Sequence, residues 1–109
     1  MDQNDTLPVS TQDVLTELSL DNTPENSTVV GGLIQDSAEI VKDSVNKNLS
    51  ASELAEDHIY IRAVKALTTA LFYDRSLSQG MPLGVQLMIT HLKGEYESWP
   101  DNDSNNGKD

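Results

Sequence analysis

The two histidines, His58 and His91, are the side chains of this 109-residue sequence best suited to acid-base work or metal ligation. Such chemistry needs imidazoles and carboxylates that converge, commonly three or four positions apart on one helix. His58 lies in Glu56-Asp57-His58 and His91 in Thr90-His91-Leu92-Lys93, and no second histidine joins either. Both read as ordinary surface or interface histidines. Serines are plentiful, but no G-x-S-x-G elbow presents one as a nucleophile. Gly31, Gly32, Gly80, Gly84 and Gly94 fit neither G-x-G-x-x-G nor G-x-x-x-x-G-K-[ST], so nothing is built to cradle a phosphate. With no cysteine there is no thiolate chemistry, disulfide framework or Cys-type zinc site. The expectation is a non-enzyme with no cofactor and no metal.

Charge narrows the partners. The net charge is -11, and residues 1–50 hold nine acidic against two basic side chains. An acidic surface repels phosphate backbones and anionic lipid alike, so direct nucleic-acid or membrane binding is not expected. A basic protein surface stays compatible. The segment Met1-Asp2-Gln3-Asn4-Asp5 is acidic and lacks an apolar run, and no apolar stretch approaches the roughly 18–20 residues that span a bilayer. A cytoplasmic location is the expectation. Hydrophobic residues make up 37% and aromatics 5%, which predicts a modest core that uses only part of the chain.

The elements that would position any site are helical. Gly80-Met81-Pro82 punctuates two periodic segments, since glycine suits a left-handed helix cap and proline the first turn of the next helix. Before it, Ser50 and Glu53 form a capping box with Leu49 and Leu54 as the staple, and Tyr60, Val64, Leu67 and Leu71 form one stripe. After it, Val85, Met88, Leu92 and Trp99 line one face. The prediction is a mainly α fold: an antiparallel helical hairpin over about 50–77 and 82–98, with a third helix over about 33–46. The third helix is started at 33 because Gly31-Gly32 weakens anything before it, a β-turn there being the competing reading. Residues 1–28 read as a flexible acidic segment with a short helix over 11–20, residues 29–99 as the helical domain, and residues 100–109 as a polar tail without large apolar groups.

Binding features remain. Leu15, Leu18 and Leu20 lie on a short amphipathic element between polar stretches, the pattern of a segment that docks in a groove. Ile59, Ala63, Ala66 and Ala70 form a strip of mostly small side chains that admits a close helix neighbour, while Ile89 and Leu87 stand spare on the last helix. Trp99, beside Pro100, suits an aromatic anchor or a cap on the core. The chain resembles, in composition only, the small acidic accessory proteins of phages and bacteria. These features predict a protein-interaction module, adaptor or assembly factor that binds a protein partner or a second copy of itself, a dimer included. The second reading is an acidic inhibitor in which Asp36, Glu39 and Asp43 occupy a basic nucleic-acid-binding site.

Overall fold

The computed structural model describes residues 7–96, and these form five helices with no strand among them. They are α1 (Thr11–Glu17), α2 (Pro24–Val45), α3 (Ala51–Leu54), α4 (His58–Tyr73) and α5 (Leu83–Tyr96). Trp99, residues 97–98 of the predicted last helix, the 100–109 tail and residues 1–6 lie outside the described residues.

Helix α2 is the hub, lying against all four other helices and most extensively against α4. It begins nine residues before the predicted start. Thr23 caps it by accepting from the Asn26 N–H at 3.1 Å, Pro24 takes the first helical position and Glu25 follows in the first turn. Proline at that position loses nothing, because its missing N–H would have no helical partner. The helix then runs straight through Gly31 and Gly32. Two helical glycines cost about 2 kcal/mol against alanine. Burial of Val30, Leu33, Ile34, Val41 and Val45 offsets this, at about 1.5–3 kcal/mol for each fully buried side chain. Tertiary packing thus overrides propensity, and the β-turn does not form.

The predicted helix over 50–77 is two helices. The capping box is present, with the Ser50 N–H donating to Glu53 Oε1 at 2.7 Å and Ser50 Oγ accepting from the Glu53 N–H at 3.3 Å. After one turn, with Leu49 and Leu54 both buried, the chain breaks, and Asp57 caps a new helix. Its Oδ1 accepts from the Ile59 N–H at 2.9 Å and the Tyr60 N–H at 3.2 Å. The break therefore has a local cause, a carboxylate able to satisfy two orphan donors. Helix α4 ends at Tyr73 rather than Leu77. Asp74 collects the backbone N–H groups and hydroxyls of Ser76 and Ser78 and holds the chain in a turn. Gly80 does adopt a left-handed conformation (φ 84°), but inside this loop and not as the cap of α4.

The N-terminal boundary also moves. Val9, Val14 and Leu15 belong to the same buried cluster as the residues of α2, α4 and α5, so α1 completes the core. A 2.7 Å ion pair between Lys65 and Glu17 links α4 to α1. Two further bonds set the other end. Tyr96 Oη donates to Asp57 Oδ2 at 2.8 Å, joining the end of α5 to the start of α4, and Asn46 Nδ2 donates to the Tyr96 carbonyl at 3.1 Å.

Candidate functional site

Every residue singled out as a contact, except Trp99, now has a place. Leu15, Ala63 and Ile89 are buried in the chain's own core, at 2%, 0% and 7% exposure, and none is a free surface contact. Leu18, Leu20, Ile59 and Ala66 are half-buried and pack against that core, and Ala70 is half-buried on α4. The small-residue strip thus accommodates the chain's own neighbouring helices. Ile89, read as spare, replaces Met88 at the centre of the inner row of α5, with Val85 and Leu92 on either side. His58 and His91 are exposed, and no group of three His, Cys, Asp or Glu side chains among the described residues could hold a metal ion.

What the helices do bring together is a groove of about 540 Å³ between α2 and α4. Leu33, Ile40 and Leu71 supply its apolar lining, Asp36 and Glu39 stand along the α2 side, and Arg75 stands at the end of α4. The register follows from helical geometry: positions 29, 33, 36 and 40 share one flank of a 3.6-residue helix, so the early start of α2 brings Val29 onto it. Val29 is 41% exposed there. Asp36 and Glu39 are exposed and make no hydrogen bond or ion pair within the described chain. Asp43, one turn beyond Glu39, is paired at 2.8 Å with Lys42.

The electrostatics behind this groove are set by burial. The Tyr60 hydroxyl donates to the Ala38 carbonyl at 3.2 Å on the inner side of α2. Burial and the nearby Glu39 charge push its pKa up to about 12, so it is a fixed neutral donor. Asp57 is pulled both ways. Its partial burial raises the pKa, but hydrogen bonds from Tyr96 and from the Tyr60 and Ile59 amides outweigh that and hold the carboxyl below its ordinary value. The Tyr96 hydroxyl is pushed up to about 12 by burial and by its bond to Asp57. Neither end of this pair is poised to move a proton near neutrality. The groove sets two carboxylates and one guanidinium around an apolar floor, and its lining holds no nucleophile paired with a base.

A second hollow of about 400 Å³ lies between α2 and α5, lined by Ser44, Met81, Gln86, Ile89, Thr90 and Lys93. It lacks the acidic rim. No helix among the described residues is long and apolar enough to cross a membrane. Comparisons with protein-family models, with curated proteins and with solved structures find no match for this chain.

The α2 side of the groove, Leu33, Asp36, Glu39 and Ile40, lies inside the predicted helix over 33–46, but nothing in the sequence said which face of another helix would lie beside it.

Proposed function

We propose that this chain is a non-enzymatic protein-interaction module, an adaptor or assembly factor of the cytoplasm, whose α2–α4 groove takes a basic amphipathic helix or strand of a protein partner. One observation carries the reading. Asp36 and Glu39, unpaired among the described residues, flank an apolar floor of Leu33, Ile40 and Leu71 with Arg75 at one end, which matches a ligand with apolar side chains on one face and lysine or arginine on the side that meets the α2 carboxylates. The antiparallel packing of α4 and α5, supported by the Asp57–Tyr96 bond, serves as the scaffold that fixes α4 beside α2. The N-terminal leucines then act in the scaffold and not as a separate anchor.

The test is an NMR titration of the full-length chain with a synthetic amphipathic lysine-leucine peptide. Shifts should concentrate at Val29–Ile40 and Leu71–Arg75, and Ile40→Asp should abolish them. Shifts spread evenly over all acidic surfaces, or unchanged by Ile40→Asp, would overturn the groove assignment.

One observation favours a second reading, the acidic inhibitor. Asp36, Glu39 and Asp43 lie on one face of α2, separated by about 4.5 and 6 Å along its axis. A charged row of this kind can occupy a basic site without using the groove. Binding that survives Ile40→Asp but collapses between low and moderate salt would select it.

A further inference from the structure

Helix α5 is apolar on both sides, and only one side is covered. Val85, Ile89 and Leu92 face the core. Leu83, Leu87 and Gly94 fall within about 40° of one another on the opposite face. Leu83 is 68% and Leu87 61% exposed, two of the few large apolar side chains the described chain leaves open. Among the described residues this face carries no acid: Glu95 is the one acidic residue of α5, and it lies to the side. In a chain of net charge -11, this makes the outer face of α5 the surface where a second equally acidic molecule meets the least repulsion.

The backbone is open on this face. A Cβ built at Gly94 meets nothing within 4 Å, as also at Gly84 of the same helix, so the space beside Gly94 is free for a neighbour. A helical glycine costs about 1 kcal/mol against alanine, and close approach of another backbone would give it a use.

We infer that α5 pairs with α5 of a second copy of this chain, antiparallel about a twofold axis between Met88 and Ile89. That register is self-complementary. Leu83 of each copy sets opposite Gly94 of the other, a large side chain against an open backbone, and Leu87 sets opposite Thr90. Like charges stay apart: the two Lys93 side chains are about 13 Å and the two Glu95 about 20 Å from each other along the axis, beyond the Debye length of about 8 Å at physiological salt. Occupation by an unrelated partner would leave this match of Leu83 to Gly94 without a role. A single pair of 14-residue helices, about 21 Å long, buries less than the 1,200 Å² or so of a standard stable interface, so the dimer is weak and reversible. This inference uses a surface separate from the groove and stands or falls independently of it.

Sedimentation velocity on the full-length chain, over about 10–500 μM to cover the weak range, tests it. A concentration-dependent monomer–dimer equilibrium is expected, and Leu87→Glu should abolish it while leaving the thermal melt of the monomer unchanged. Gly94→Gln should weaken dimerisation by tenfold or more while raising monomer stability, because glutamine is the better helix former. Because the chain has no cysteine, mixing Leu83→Cys with Gly94→Cys chains should give a disulfide-linked heterodimer, with Glu56→Cys as the control that does not cross-link. A monomer at every concentration overturns the inference. So does a dimer that Leu87→Glu leaves intact, or cross-linking equal at Glu56→Cys.

Discussion

Replacing Asp57 by alanine should cost about 2 kcal/mol, and the loss should divide into two measurable halves. One half is the helix cap. Oδ1 satisfies the Ile59 and Tyr60 amides at the start of α4, and removal of an aspartate cap costs about 1 kcal/mol. The other half is tertiary. Oδ2 accepts from Tyr96 Oη at 2.8 Å, and a hydrogen bond to a carboxylate that is partly open to solvent is worth about 1 kcal/mol. Asp57→Asn should keep most of the cap and lose much of the second bond. Tyr96→Phe should lose only the second, and the double variant Asp57→Ala/Tyr96→Phe should cost little more than Asp57→Ala alone, a coupling of about 1 kcal/mol. Urea unfolding followed by far-UV circular dichroism reads all four. For a domain of this size, 2 kcal/mol lowers the melting temperature by about 10 °C. If Tyr96→Phe is neutral and the two variants add within a few tenths of a kcal/mol, the end of α5 is not fastened to the start of α4.

Acid should expose the same carboxylate. The folded pKa of Asp57 is depressed, so its stabilisation is present above the unfolded carboxylate value of about 3.9 and is lost as pH falls through the lower folded value; Asp57→Asn should flatten that limb of a stability–pH curve. At the alkaline end the sign reverses: Tyr60 and Tyr96, both pushed up to about 12, favour the fold below pH 10 or so and lose that contribution as pH rises towards 12, and Tyr60→Phe should shift the alkaline unfolding midpoint. Ser37 Oγ is buried in α2 without a hydrogen-bond partner, so Ser37→Ala should stabilise by up to about 1 kcal/mol in the same urea assay; a loss of that size would show that the hydroxyl is satisfied. Ser19 is exposed and holds φ at 61°, so Ser19→Gly should be neutral to stabilising by about 1 kcal/mol, and a destabilised variant would place the residue outside the left-handed region.

How far the fold could be read depended on whether a signal was local. Ser50-x-x-Glu53 is complete within four residues, and its geometry could be written from the sequence. The Tyr60-Val64-Leu67-Leu71 stripe needed only helical spacing, and all four side chains are buried. Asp57 failed because a cap inside a periodic segment competes with continuation of the helix, and helical spacing alone does not decide between them. Thr23-Pro24-Glu25 carried a complete start signal, but the polar residues around it also fit a linker. Gly31-Gly32 misled in the other direction: propensity spoke against a helix that four neighbouring helices stabilise. Leu15 and Ile89 could not be assigned from spacing, because an amphipathic face is equally consistent with a partner and with the chain's own core. The groove was hidden for a combined reason. It needs Leu33 and Ile40 of α2 to lie beside Leu71 of α4, with the chain turning after Tyr73 to bring in Arg75, so neither helix alone contains it.

The two proposed surfaces should respond to salt with opposite signs, and this separates them in one experiment. Peptide binding at Asp36 and Glu39 draws on attraction between unlike charges, so raising salt from about 50 to 500 mM, which shortens the Debye length about threefold, should weaken it. Dimerisation through Leu83 and Leu87 joins two chains of net charge -11 across a face almost without charge. Screening removes their mutual repulsion while leaving the apolar contact intact, so the same salt step should strengthen it. Because α5 turns its outer face away from the core and the groove opens between α2 and α4, a dimer would carry two grooves, and a partner with two basic segments would gain from their effective concentration. Its salt dependence would then mix the two signs, with affinity passing through a maximum at intermediate salt and vanishing as a maximum in Leu87→Glu. A peptide affinity that rises with salt would place the contact away from Asp36 and Glu39; a dimer that dissociates with salt would place charge, not Leu83 and Leu87, at the interface.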